Sequence, residues 1–398
     1  MIEGKRILFL SPQPFFEERG TPIAVRRVVD TLAGWGGSVD FLTYPLGRDV
    51  RLADGVRHVR SLGFPGIRRV RPGPSGAKLL LDLPFMAQAL GLALLRRYDA
   101  IHTVEEAGVA GALLRLLGRG RFVYDMDSEM AAQFGGKGSR SGRVLGAFVG
   151  ALERWSLRRA DVVVTVCQAL TERVREIRPG ACVVQVEDIP EPAPALANGA
   201  RAEIRKDLDA VNRPLVMYTG NLERYQGIDL LVDAWKSVHR EIPDAVLAVV
   251  GGESGQVDSY RKRAEDGGTG TSIRWLGRRP LEEMPGFLSA ADVLVSPRIE
   301  GLNTPMKIYN YLQSGRPLVA TDLPTHTQVL GGDVAVLCAP SPGPFAEGIV
   351  AILRDPERGA RLGEAGRRYV EKSFNRGKFE AGLAEAYRLA FAAGRGSS

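Results

Sequence analysis

Short apolar runs recur along the whole chain, each separated from the next by a longer stretch of mixed character. RILFL (Arg6 to Leu10), SVDFLT (Ser38 to Thr43), AIHTV (Ala100 to Val104), RFVYD (Arg121 to Asp125) and VVVTV (Val162 to Val166) are compact and β-branched. They read as strands buried on both faces, as in a parallel sheet. IAVRRVVDTLAGW, after the first of them, has the spacing of a helix. The pattern starts again at PLVMYTG and continues through AVLAVVG, SIRWLG, ADVLVS, PLVAT and AVLCA. Strand and helix alternating in this way predict two doubly wound α/β domains, residues 1–190 and 214–377. The segment from Glu187 to Pro214 is rich in proline, alanine and charge and reads as an interdomain linker, assigned to 191–213. In the last segment, 378–398, Phe379, Leu383, Tyr387 and Phe391 recur every fourth residue, which predicts a helix with one packed side.

Charge is unevenly spread. The net charge is +7; residues 1–199 carry 27 Lys and Arg against 21 Asp and Glu, so +6, and 200–398 carry 26 against 25, so +1. Between Gly55 and Leu81 stand Arg57, Arg60, Arg68, Arg69, Arg71 and Lys78 with no acidic residue. Such a loop suits an anionic membrane surface, and docking there is expected. The apolar stretch that follows, Leu79 to Arg97, is apolar around much of its circumference, and with Asp82 and Pro84 near its start it reads as a helix buried in the domain. Nucleic acid is a weaker partner, because no aromatic platform interleaves the arginines. Neither a signal peptide nor an uncharged apolar run of membrane-spanning length is seen, so a cytoplasmic chain, peripheral at the inner face of the membrane, is expected. Cys167, Cys182 and Cys338 are odd in number and far apart, and the four histidines are equally scattered. This pattern predicts reduced thiols and neither a metal nor a cofactor.

The densest chemistry lies in DVLVSPRIEGLNTPMKIYNYLQSGRPLVATD, Asp292 to Asp322. Two buried-strand runs bracket it, so it must contain a crossover. Thr304 followed by Pro305 predicts a capped helix start, whose free N–H groups would favour a phosphate. Glu300, Asn303 and Lys307 stand around that point. A carboxylate, an amide and an ammonium together suit sugar hydroxyls and a diphosphate.

These stretches, in this order, resemble the retaining glycosyltransferases of family 4. The likeness runs through the opening strand and loop (Ile7 to Pro22), ADVVVTVCQAL (Ala160 to Leu170), VMYTGNLERYQGIDLL (Val216 to Leu231), VVGGE (Val249 to Glu253) and WLGRRPLEEMPGFLSAADVLVSPRIEG (Trp275 to Gly301). The resemblance implies the GT-B fold, two Rossmann-like domains facing across a cleft, with an acceptor-binding first domain, a donor-binding second domain and a last helix crossing back to the first. It also implies a nucleotide-diphosphate sugar donor, a lipid-linked or other glycan acceptor, and retention. Gly20 and Thr21 match the family's glycine loop beside the diphosphate, Gly227 lies in the loop after the second domain's first strand, and Glu300 matches the glutamate that contacts the donor sugar.

The chain departs from the family at four places. Asp127 stands where a histidine is usual beside the reacting sugar, and is expected to orient the acceptor hydroxyl or to act as a weak base. Asn221 and Gln226 replace the arginine and lysine that neutralise the diphosphate, a role Arg224 between them would take over. Asn310 replaces the glutamate that contacts the ribose. The sequence thus supports a glycosyltransferase, with a non-catalytic sugar-nucleotide or glycan binder as the rival, and an epimerase or phosphorylase ranked below both.

Overall fold

The computed structural model describes residues 2–17, 20–68, 70, 76–130, 140–192 and 199–393. It divides into two compact units, Met1–Glu187 with Gly377–Ser398, and Asp188–Arg376. Each unit is built on a wholly parallel sheet.

In unit 1 the strands are β1 (Arg6–Ser11), β2 (Ser38–Thr43), β3 (Val56–Arg60), β4 (Ala100–Val104), β5 (Arg121–Met126), β6 (Val162–Thr165) and β7 (Val183–Gln185), in the order β3-β2-β1-β4-β5-β6-β7. Their central members are buried on both faces, as the unbroken apolar runs require. Helices α1 (Gly20–Gly34), α2 (Gly76–Leu95) and α3 (Gly108–Leu116) connect the strands of this half. The helix Arg376–Ala392 belongs to the same unit. Its Tyr387 hydroxyl lies 2.9 Å from His102 Nδ1 on β4, and His102 Nε2 lies 3.4 Å from an Asp125 carboxylate oxygen on β5. All three side chains are buried.

Unit 2 repeats the scheme with β8 (Leu215–Thr219), β9 (Val246–Val250), β10 (Ile273–Gly277), β11 (Val293–Ser296), β12 (Leu318–Thr321) and β13 (Val336–Cys338), ordered β10-β9-β8-β11-β12-β13. Its core gathers around Trp235, whose indole N–H donates to Ser272 Oγ at 2.9 Å. In both sheets the strand order reverses beside the first strand, between β1 and β4 and between β8 and β11. At such a reversal the connections leave to opposite faces, and a crevice opens at the carboxyl ends of the strands.

Three expectations change. Residues 199–213 are not linker but part of unit 2. They form a helix, Ala200–Asp207, whose Arg205 guanidinium donates to the carbonyls of Ala290 and Arg213, each at 2.7 Å, and to Asp292. Proline and charge marked the segment as polar, but that one arginine pins it; residues 193–198 lie outside the described residues. The α2 helix is not a core helix, since only Leu81, Phe85, Ala89 and Ala93 are buried along its length. Of the six basic residues between Gly55 and Leu81, Arg57 is held by Asp40 at 2.6 Å, Arg60 by Asp49 at 2.8 Å, and Lys78, already within α2, by Glu106. Arg69 and Arg71 lie outside the described residues, so Arg68 is the loop member described as exposed without an ion-pair partner.

Candidate functional site

The loops after β8 and β11 meet at the strand-order reversal of unit 2. Gly227 lies in the left-handed region at φ +72°, and a Cβ there would overlap the Pro297 carbonyl oxygen. Glycine therefore lets the two loops touch. The Ile299 N–H donates to the Tyr225 carbonyl at 3.0 Å, which closes the contact.

From the second loop Arg298 turns inward and is buried. Its guanidinium donates to the Glu300 carbonyl at 2.7 Å and to Asn303 Oδ1 at 2.8 Å, and it lies 5.3 Å from the centre of the Tyr225 ring. The far side of the loop is also tied down. Thr325 Oγ1 donates to the Asn303 carbonyl at 2.7 Å, Gln328 to the Leu302 carbonyl at 2.7 Å, and Thr321 Oγ1 to the Arg298 carbonyl. Beneath it His326 is buried, with Nε2 2.9 Å from Ser296 Oγ and Nδ1 2.9 Å from the Thr321 carbonyl. Burial, with Lys307 and Arg298 nearby, pushes its pKa down to about 3, so it is a neutral prop.

Lys307 is the unusual group. Its Nζ atom is out of solvent contact, has no hydrogen-bond partner, and sits 3.9 Å from the centre of the Tyr218 ring. A Cβ on Gly220 would stand 3.2 Å from it, so that glycine leaves the amine its space. Burial, then the neighbouring Arg298 charge, lowers its pKa well below the usual lysine range. Buried polar atoms are nearly always paired. Here Lys307 Nζ, Thr304 Oγ1 and Gln226 Oε1, all on or next to these two loops, are unpaired. Two of the atoms can donate and two can accept, a set that suits an anion carrying hydroxyls.

The helix start at Thr304 is corrected. The helix runs Lys307–Gln313, Thr304 caps nothing, and the turn ahead of the helix is closed by the Ile308 N–H on the Pro305 carbonyl. With Asn303 held at both its side chain and its carbonyl, the loop continues past the Thr-Pro pair. Asn310 Oδ1 is taken by the Glu191 backbone N–H at 2.8 Å. Asn221 is exposed but turned onto its own loop, donating to Tyr225 Oη at 3.1 Å and accepting from the Glu223 N–H. Arg224 and Glu300 are exposed at the rim.

Unit 1 carries the opposite charge at the equivalent place. Gly20 and Thr21 open α1, and Asp127 follows β5, half-buried. Beside it Ser128 Oγ donates to Glu105 at 3.1 Å. Glu105 directly follows β4 with φ +50°, a region where non-glycine residues are uncommon. Burial, and the adjacent Glu106, raise its pKa. Sequence reading missed Glu105, Arg298, Tyr218 and His326. For Glu105 a signal was present, since a polar pair stands directly at the carboxyl end of an apolar strand. Among the described residues no group of three or more His, Cys, Asp or Glu side chains is arranged to hold a metal ion.

Residues 19–186 match the family described as a glycosyl transferase 4-like domain, and residues 213–355 match glycosyl transferases group 1. A GDP-mannose-dependent alpha-(1-6)-phosphatidylinositol monomannoside mannosyltransferase of Mycolicibacterium smegmatis is 29% identical over 187 residues, 43% of this chain and 47% of that one. The chain thus spans about half the length of this relative. A D-inositol 3-phosphate glycosyltransferase of Xylanimonas cellulosilytica is 28% identical over 353 residues, 82% of each chain. The sucrose-phosphate synthase of Thermosynechococcus elongatus superposes with a TM-score of 0.80 at 22% identity, covering 98% of this chain and 100% of that one.

Proposed function

Since the chain belongs to the family 4 glycosyltransferases of GT-B fold, we propose that it transfers a sugar from a nucleoside diphosphate to a hydroxyl of a lipid-linked or cell-envelope glycan, with retention at the anomeric carbon. The observation that carries this reading is the unpaired Lys307 amine beside Arg298. Burial and the Arg298 charge both disfavour the charged form of Lys307, and a diphosphate relieves both costs. The same pair then serves the reaction. As the bond from the anomeric carbon to the phosphate oxygen breaks, negative charge grows on the leaving diphosphate, and fixed donors stabilise it without rearranging. Neither a metal nor a cofactor is needed for this neutralisation. Glu300 at the rim is assigned to the sugar, and Asp127 with Glu105 to the acceptor hydroxyl. The mannosyltransferase and inositol phosphate relatives support an acceptor of the glycolipid or polyol class.

The test is titration of Lys307→Met with UDP- and GDP-sugars, paired with mass spectrometry of the products. A hydrogen bond to a charged group is worth about 1.5–3 kcal/mol, so affinity should fall at least roughly tenfold. Fold stability should hold or rise, since a buried unpaired amine is gone. Unchanged affinity would remove Lys307 from the site. Tight binding by the parent with neither transfer nor hydrolysis would make the protein a sugar-nucleotide binder.

A further inference from the structure

The α2 helix is inverted with respect to its charges. Both of its ionisable residues point inward. Lys78 pairs with Glu106, and Asp82 accepts from the Tyr44 hydroxyl. They share a face with Leu81, Phe85, Ala89 and Ala93, spaced three or four residues apart, and this face packs on the unit 1 core. The outward face carries no charge. Leu79, Leu83 and Leu95 are 62%, 69% and 86% exposed, and Leu80 and Leu94 lie with them. The chain before the helix extends this surface. Gln88 accepts from the Leu62 N–H at 3.2 Å, placing exposed Leu62 beside the helix, and Phe64 is exposed two residues on.

We propose that α2 is the membrane-docking element of this protein, lying in the plane of an anionic bilayer with its leucine stripe inserted among the acyl chains. By length and composition the helix could also cross a membrane. Its tethered inner face argues for lying flat, because crossing would strip Lys78 and Asp82 of their partners within unit 1. Charge complementarity selects the bilayer over a second copy of the chain. Exposed Arg68 lies on the loop before the helix and exposed Arg97 just after its end, and between Gly55 and Tyr98 the only acidic residue is the inward Asp82. An apolar stripe with flanking cations and no outward acid is the pattern of an interfacial helix. This docking gives the proposed glycosyl transfer its lipid-linked acceptor, and in that respect rests on that reading. It differs from docking by a basic loop, because insertion resists salt and charge attraction does not.

The experiment is flotation of the full chain with phosphatidylcholine vesicles, with and without phosphatidylglycerol, at low and high salt. The parent should float with both, more strongly with phosphatidylglycerol, and salt should remove only that increment. The double variant Leu79→Gln, Leu83→Gln should lose at least about tenfold in partitioning to both vesicles. Because both leucines are exposed, its UDP- and GDP-sugar affinity should match the parent's, which reports that unit 2 is intact. Arg68→Gln with Arg97→Gln should lose only the phosphatidylglycerol increment. Parent-like flotation of the leucine variant, or parent binding that vanishes in salt, overturns the proposal. So does an absence of flotation, and a dimer seen by light scattering that the leucine variant abolishes would then reassign the stripe to a contact between copies. Failure to bind any sugar nucleotide would sink the donor reading and leave the flotation result standing.

Discussion

The two units share one topology and have opposite electrostatics at the same topological place. At the β8–β11 reversal the inward groups are Lys307 and Arg298 over a neutral His326, and the acid on that loop, Glu300, is left at the rim. At the β1–β4 reversal, the neighbouring positions are Glu105, Glu106, Asp125 and Asp127. Strand order decides where a crevice opens, and the few residues that end each strand decide what it holds. An unpaired amine beside a buried guanidinium suits a diphosphate, whereas carboxylates beside Ser128 suit hydroxyls, which need acceptors.

Substitutions confined to one crevice should therefore leave the other untouched. The largest effect is expected from Gly227→Ala, where the new methyl meets the Pro297 carbonyl and the backbone is left-handed. A loss of about 2–4 kcal/mol is expected in chemical denaturation, with weaker nucleotide binding, as the two loops are forced apart. A parent-like unfolding curve would show that the loops can separate freely. Next is Asp127→Asn, which should lower turnover by roughly a hundredfold with nucleotide affinity unchanged, because only the acceptor side is altered. Equal turnover in variant and parent would leave Asp127 as a turn residue.

The third effect, spread over several pH units, is a pH dependence of stability that contrasts the two units. His326 has a folded pKa near 3 against an ordinary 6.5. Its contribution is complete above 6.5 and is lost as pH falls towards 3, because the unfolded chain binds the proton first. Glu153, in unit 1, is pushed by burial up to about 7 from 4.5, so its contribution is complete below 4.5 and is lost as pH rises towards 7. Each slope is at most about 1.4 kcal/mol per pH unit. His326→Gln should flatten the acid side and Glu153→Gln the neutral side, as read from denaturation midpoints. A curve unmoved by either variant would mean that these groups are solvated.

Much of the fold was legible because its central strands are buried on both faces and leave unbroken apolar runs. The edge strands β3 and β7 escaped notice. VRHVR is half-buried and has only two valines among two arginines and a histidine, so its pairing is fixed by β2 and not by its own composition. Lys307 was found in the sequence through its neighbours, but its isolation was not, since that depends on Tyr218 and Gly220 from another strand. The Thr304-Pro305 pair misled because local capping chemistry lost to the tertiary ties on Asn303. The α2 helix misled for a related reason. Its hydropathy was right, but which face carries the charges depends on Glu106 and Tyr44, far away in sequence.

The Tyr387–His102–Asp125 chain has a consequence for the order in which the protein is made. Unit 2 is one continuous stretch and is complete once Arg376 has been synthesised. Unit 1 begins first but has a buried histidine and a buried aspartate that depend on a tyrosine lying after unit 2 in the chain. Domains fold as units, so unit 2 can close on its own, whereas unit 1 is completed only by a helix that follows unit 2 in the chain. Until the helix Arg376–Ala392 docks, unit 1 stays unfinished while unit 2 is already whole.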